Sequence, residues 1–475
     1  MNSGFGVAWK YLFPGVVAML LFVAFPLIYT MQIGFTNYSS NNLLSQQRAR
    51  EYLLEQAVPV ESSTLGFTLH ADGDGEYRVV LQPLHEPEDL RDPAKRAAIE
   101  AATLVSPPLA LRAARPPDHT NMLPPAQASF QLNAPLDLKT LLTHRDVLMN
   151  LVLLLPDGRE LRYAGVREFG ILNPVWRGNP DGSITKVESG ERFVPDMKTG
   201  FFTGEKDGAQ LQPGFKVGIG LANYRRLFTD PDFRGPFLSI FGWTLTFAFL
   251  TVLFATAIGM TLAVVLNWEA LRYRTLYRTL LFLPYAVPGF ISILVFKGLF
   301  NQNFGEINAI LQGLFGIKPN WFADPFLAKC MLLIVNVWLG YPYMMVLCSG
   351  LMKSIPADLY EASAIAGAGP LTNFFRITAP LIVRPLMPLL ISAFAYNFNN
   401  FVLISLLTDG RPDYLNTKIP AGTNDILVSY TYRIAFQDSG QNFGLASAIS
   451  TMIFVLVAIL SLVNIKLTRV NRDLK

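Results

Sequence analysis

Apolar residues gather in long runs at the two ends of this chain, and a mixed polar stretch separates them. A helix that crosses a bilayer needs about 20 mostly apolar residues. Six runs meet that length, at about 11–35, 237–266, 279–300, 326–350, 381–407 and 443–466. The first has a longer apolar core than a signal-peptide h-region and no A-x-A-like site behind it, so it reads as a retained anchor. Residues 38–216 are polar and charge-bearing, with many Pro and Gly. There DGDGEYRVVL and NLVLLLPDGRELRYAG carry strand–turn–strand patterns punctuated by Asp-Gly, and WRGNPDGSITKV is another turn candidate. EDLRDPAKRAAIEAA, residues 88–102, predicts a helix. The expectation is an α-helical polytopic membrane protein with a small, mainly β, α+β domain inserted between spans one and two. The domains would be 1–37, 38–216 and 217–475.

Composition sharpens this picture. Only 16% of the 475 residues are charged, against about 25% in a soluble protein. The formal net charge of +4 includes no basic tail that would suggest nucleic acid. Cys330 and Cys348 both fall in one apolar run, so no disulfide framework is expected. His70, His85, His119 and His144 are scattered without ligand spacing, and no metal site is expected.

Lys and Arg in the short connections set the orientation. With the N-terminus inside, the inner ends carry Lys10, Arg272, Arg274, Arg278, Lys353, Arg376, Arg384, Lys466, Arg469, Arg472 and Lys475. The short outer loops carry Lys318, Arg411, Lys418 and Arg433, with Lys297 and Lys329 at outer helix ends. The bias favours both termini inside, the polar domain outside, and the connection between spans four and five inside.

Several chemistries have no residues to carry them. There is no G-x-x-x-x-G-K-[ST] and no Gly-Lys dipeptide, so no loop to cradle nucleotide phosphates. G-x-S-x-G, H-E-x-x-H and CxxC are missing too. No span carries an acidic residue at its centre, which disfavours a transporter driven by its own proton or sodium relay. A channel fits poorly without a filter or a ring of charges.

What the spans do contain is neutral polarity. Asn336, Gly340 and Tyr343 are spaced to share one helix face. Tyr396, Asn397 and Asn400 cluster within about one turn, and Tyr285 and Gly289 are four apart, with Pro284 and Pro288 interrupting the ladder. These groups should face one another or a cavity, because an unpaired amide in hydrocarbon is costly. Two readings stand: hydrogen-bonded glue between helices, or a polar, aromatic-lined cavity for a neutral polyhydroxylated ligand.

Between spans four and five, Ser354 and Pro356 suggest a helix start and predict a helix over Ala357–Ala366. Gly367 would end it in a left-handed cap. Gly369 and Pro370 would turn the chain into a second short helix, Leu371–Thr378, and Pro380 would mark entry to span five. Ala362, Ala364 and Ala366 would give a small face open to another backbone. By amphipathicity alone the segment could equally lie against the protein's own spans.

The pattern of Glu361-Ala362, Gly367, Ile377 and Pro380 resembles the EAA loop of ABC-importer permeases. LPYAVPGFISILVFKGLFNQNFGEIN, WLGYPYMMVLCSGLMKSIPADLYEAS, NFNNFVLISLLTDGRPD, PAGTNDILVSYTYRIAF and GLANY resemble the MalF family, the F-type permease subunit of maltose importers. The resemblance is close over 217–475, good over 11–45 and weaker in the insertion. It implies a six-span ABC permease core without two extra N-terminal spans found in some members. It implies a homologous G-type permease, an ATPase dimer holding ATP and Mg, and a periplasmic maltose-binding protein. This chain would bind no cofactor, catalyse nothing itself, and translocate maltose or maltodextrins across a bacterial inner membrane. Substrate positions would be Tyr285, Gly289, Asn336, Gly340, Tyr343, Tyr396, Asn397 and Asn400. Coupling positions would be Glu361, Ala362, Ser363 and Gly367. Gly289 stands where the family has serine, Tyr396 where it has phenylalanine, Ser363 where it has alanine, and Ala379 where it has leucine. The alternatives are an importer of the same architecture for another neutral oligosaccharide or polyol and, more remotely, a membrane-anchored receptor.

Overall fold

A computed structural model describes residues 3–73, 75–86, 88–111, 119–125, 132–268, 270–415, 417 and 420–473. Lys418 and Lys475 of the charge pattern lie outside the described residues. The chain forms two compact units. One comprises Met1–Leu43, Met197–Thr199 and Lys216–Lys475, and the other Leu44–Asp196 and Gly200–Phe215.

The helical unit is built on apolar helices. Among the described residues, five are long and apolar enough to cross a membrane, and a sixth is a bent pair. They are α1 (Trp9–Gly34), α2 (Pro231–Asn267), the pair α3 (Arg274–Ala286) and α4 (Gly289–Leu299), α5 (Pro325–Met352), Pro370–Phe398, and Phe443–Val463. Two of them begin at Asp-Pro: Asp230 accepts from the Asp232 amide and Asp324 from the Leu327 amide. The carboxylate satisfies a free first-turn N–H, and Pro occupies a position where no donor is missed. The helices cross closely at small residues. A Cβ on Gly259 of α2 would lie 2.7 Å from Met344 Cβ and the Met345 amide of α5. Their buried faces meet in apolar clusters such as Trp243, Phe247, Met331, Leu332 and Val335. Outward side chains such as Phe249, Leu253, Ile258, Leu294 and Val455 stay exposed, as an apolar solvent would allow.

Three sequence expectations need correction, and one break is sharper than expected. Pro284 and Pro288 interrupt the third span as the sequence predicts, and α3 and α4 meet at 92°. Val287 is extended before Pro288, because proline crowds the helical conformation of the residue before it. The fifth run is also two helices, Ala379–Phe398 and Phe401–Leu407, parted where Asn400 turns its side chain to cap the second at the Leu403 amide. Ser354 caps nothing. Its hydroxyl donates back to the Leu351 carbonyl, and Pro356 is the N-cap of the helix Ala357–Ile365. The expected short helix Leu371–Thr378 is instead Pro370–Asn373 followed by a π-turn, Phe374–Thr378, that runs straight into Ala379–Phe398. Pro380 therefore lies inside a continuous helical run, two residues past the π-turn, where a proline that cannot donate coincides with the departure from regular α-helical bonding. We call Ala357–Ile365 α6, Ala379–Phe398 α7, Phe401–Leu407 α8 and Phe443–Asp473 α9.

Residues 38–43 group with this unit because their polar groups are spent there. Ser40 donates through N–H and hydroxyl to the Gly440 carbonyl, and the Gly444 amide donates to the Tyr38 carbonyl. The segment between α8 and α9 closes on a buried carboxylate. Asp425 receives the Gly422 amide at 2.7 Å, the Ser429 hydroxyl at 2.8 Å and Arg433 at 3.1 Å. Burial pushes its carboxyl up to about 6, against the pull of Arg433. The second Arg433 nitrogen reaches Asp413 at 2.6 Å.

The other unit is the β-rich insertion. A seven-stranded sheet has the spatial order Leu104–Val105, Glu76–Pro83, Leu65–Gly73, Glu168–Gly170, Glu160–Gly165, Val152–Leu154, Thr120–Asn121. A five-stranded meander runs Trp176–Gly178, Ile184–Lys186, Arg192–Asp196, Phe201–Gly204, Gln210–Leu211. The Asp-Gly turns of all three segments join paired strands, while the helix expected over 88–102 is a 3-10 turn, Asp89–Arg91, followed by the helix Pro93–Ala102. The core gathers Leu69, Val79, Leu81, Leu148, Leu153, Leu161 and Phe169, all fully buried.

Candidate functional site

The breaks in the third and fifth spans open a cavity of about 950 Å³ inside the helical unit. All eight predicted substrate positions line it: Tyr285, Gly289, Asn336, Gly340, Tyr343, Tyr396, Asn397 and Asn400. Tyr285 ends α3 and Gly289 starts α4, so the bend, not one helix face, brings them together. Asn336, Gly340 and Tyr343 line it from α5. Tyr396 and Asn397 close α7 and Asn400 precedes α8. The rings of Tyr285, Tyr343 and Tyr396 are 57%, 42% and 72% exposed. Among the described residues no hydrogen bond engages their hydroxyls. The rings offer stacking faces and the hydroxyls remain free to pair.

The amides behave differently. Asn336 Nδ2 donates to Asn397 Oδ1 at 2.8 Å and to Thr251 Oγ1 at 3.1 Å. Its Oδ1 accepts from Asn400 Nδ2 at 3.2 Å. Asn397 Nδ2 in turn donates to the Ala393 carbonyl. The amides tie four helices together, and the tie forms part of the wall of a polar, aromatic-lined cavity. Gly340 has a packing reason as well. A Cβ there would stand 3.6 Å from that of Ala255 across the helix crossing. At Gly289 a Cβ would meet nothing within 4 Å.

Periodicity within single spans missed Thr251, Ala255, Leu339 and Ser392, which also line the cavity. Thr251, Ala255 and Gly259 recur every four residues along α2, which marks a small-residue face. That spacing was the available signal. Among the described residues no charged side chain lines the cavity. Among the described residues no group of three or more His, Cys, Asp or Glu could hold a metal.

The predicted coupling residues lie apart from the cavity, on α6 and its exit. Glu361, Ala362 and Gly367 are exposed and Ser363 is half-buried. The helix ends in a Schellman motif. The Ala368 amide donates to the Ser363 carbonyl and the Gly367 amide to that of Ala364, with Gly367 at φ +74°. Only glycine takes that conformation without strain. Ser363 hydrogen-bonds Asn373, and the Tyr360 hydroxyl pairs with Thr378 at 2.9 Å. These bonds fix α6 against the base of α7. Ile365 is 89% exposed and Leu371 75%, leaving apolar side chains beside an exposed acid that makes no ion pair among the described residues.

The family described as the maltose transport system permease protein MalF P2 domain matches residues 44–220. The binding-protein-dependent transport system inner membrane component matches residues 255–474. The maltose/maltodextrin transport system permease protein MalF of Yersinia pestis is 47% identical over 98% of this chain and 86% of its own length. Its counterpart in Escherichia coli strain K12 is 47% identical over 98% of this chain and 88% of its own. A solved bacterial ABC transporter involved in import of the acidic polysaccharide alginate matches 53% of this chain and 84% of its own, with TM-score 0.45 and 23% identity.

Proposed function

We propose a sugar-translocating role from one premise: the chain belongs to the MalF family of maltose/maltodextrin transport system permease proteins. As a binding-protein-dependent permease it passes maltose and maltodextrins across the bacterial inner membrane. It has no nucleotide site of its own, and ATP with Mg acts on a partner ATPase.

The observation that carries the sugar assignment is the convergence of Tyr285, Tyr343 and Tyr396 with Asn336, Asn397 and Asn400 on one uncharged cavity. Aromatic faces stack on the apolar faces of sugar rings, and neutral donors and acceptors pair with hydroxyls. Sugar recognition needs orientation and many modest hydrogen bonds, not charge. The exposed α6, with Glu361, Ala362, Ser363 and Gly367, is the surface the ATPase engages. Closure of the ATPase dimer would push α6. The bonds at Tyr360 and Ser363 would pass that motion to α7, which carries Tyr396 and Asn397. A homologous G-type permease completes the translocation path, and the β-rich unit lies outside, where it helps hold a periplasmic maltose-binding protein. Both termini lie inside.

The test is ATPase stimulation in the assembled transporter. Maltose-loaded binding protein should raise the rate of ATP hydrolysis, and Glu361→Lys should abolish that rise and sugar uptake together. No stimulation by maltose or any maltodextrin with the cognate binding protein would refute the substrate assignment.

A further inference from the structure

The threonines of α2 divide into kinds. Thr244, Thr246 and Thr261 each donate their hydroxyl to the carbonyl four residues back, at 2.7–2.8 Å, the habitual way a helical threonine satisfies its proton. Thr251 does not. Its oxygen accepts the Asn336 amide at 3.1 Å, and among the described residues its O–H has no acceptor. The side chain is buried, with the residue 2% exposed, yet it lines the cavity. A hydroxyl has one proton to give and two lone pairs. Here one lone pair is used and, among the described residues, the proton is not, on a side chain that lines the cavity.

Leaving a buried donor unpaired is costly, so a hydroxyl held this way favours an occupant that offers an oxygen. Asn336 does more than occupy the lone pair. It holds Oγ1 in place from α5 and turns the free proton away from itself.

We propose that Thr251 is a further ligand-contacting residue, whose hydroxyl donates to one hydroxyl oxygen of the bound sugar. This rests on the assignment of the cavity to maltose and maltodextrins. It adds a fourth wall to the site: α2 contributes recognition as well as packing, and it reads one position on the sugar. The role differs from that of Asn336, whose donors are both spent on protein groups.

The experiment uses the complete transporter and measures binding of maltose and of maltoses each lacking a single hydroxyl. Thr251→Val removes the donor and keeps the shape; Thr251→Ser keeps the donor. Thr251→Val should weaken maltose about five- to tenfold, the worth of one neutral hydrogen bond, and Thr251→Ser should bind within about twofold of wild type. One deoxy analogue, weak on the wild type, should bind Thr251→Val as well as maltose does. Equal maltose binding by wild type and Thr251→Val would overturn the proposal. So would a loss shared evenly by every analogue, since that would mean Thr251 only positions Asn336. Tyr343→Ala separates the two levels of the argument. If it loses maltose while Thr251→Val does not, only the role of Thr251 falls. If it too binds maltose normally, the cavity assignment falls and the role of Thr251 with it.

Discussion

Asn336 shows how one side chain serves two ends. It fixes α2, α7 and the start of α8 around α5 through three hydrogen bonds, and by doing so presents the neighbouring amides to the cavity. Asn336→Leu would leave Asn397 Oδ1, Asn400 Nδ2 and the Thr251 hydroxyl without partners. Losing a buried partner costs about 1–3 kcal/mol for each orphaned group. We expect a lower melting temperature of the detergent-solubilised transporter and more than tenfold weaker maltose binding. Gly289 gives the opposite expectation. A side chain there meets open space, so Gly289→Ser should leave stability within about 0.5 kcal/mol of wild type. If its hydroxyl reaches the sugar, maltose binding measured by calorimetry should tighten up to about fivefold. The i, i+4, i+7 spacing made Asn336, Gly340 and Tyr343 legible in the sequence. For Thr251 the four-residue recurrence with Ala255 and Gly259 along α2 marks only a small-residue face, because its contact with Asn336 joins two spans and leaves no trace within one.

Among the elements, the broken helices matter most. Pro284 and Pro288 announced an interruption in the third span, but not its 92° bend, which depends on packing against α5. Tyr341 of α5 contributes a hydroxyl to the Leu281 carbonyl there. The break after Phe398 falls at Asn399 and Asn400, amides that helical spacing assigns to a wall rather than to a turn. Only the turn of Asn400 into a cap divides the run. Periodicity marks where a chain is apolar, and the side chains that redirect the backbone are few and polar. The α6 segment was more readable, since Gly367 and Pro370 carry their backbone preferences in their chemistry. Gly367→Val would force a branched residue to φ +74°. This should unravel the end of α6, cost more than about 1 kcal/mol locally, and reduce sugar-stimulated ATP hydrolysis while leaving maltose binding near wild type. At the crossing of α2 and α5, Gly259→Leu has no room beside Met344 and Met345. It should destabilise the helical unit by about 1–3 kcal/mol, visible as a lower yield of folded protein and a lower melting temperature.

At the scale of the whole molecule, two units of different chemistry share one chain. The polar composition of the middle segment and its Asp-Gly turns foretold a β-rich insertion, and three of its hairpins form where those turns lie. The order of its seven-stranded sheet could not be read from the sequence, because pairing between distant strands leaves no local signature. The helical unit also hides a charged core that the apolar pattern does not disclose. Asp425 and Arg433 are eight residues apart and read as ordinary loop charges, yet both are buried. Arg433→Met would leave Asp425 without its countercharge, at a cost of about 3–5 kcal/mol. The expected result is loss of folded protein, detectable by size-exclusion chromatography.

We propose that sugar recognition belongs to the cavity on this chain, while hydrolysis belongs to another chain. Maltose uptake by proteoliposomes carrying the assembled transporter tests it most directly, with Tyr343→Ala compared to wild type over a range of binding-protein and sugar concentrations. Tyr343→Ala should assemble and hydrolyse ATP but lose most saturable maltose uptake. Uptake by Tyr343→Ala at the wild-type rate and half-saturation would contradict it.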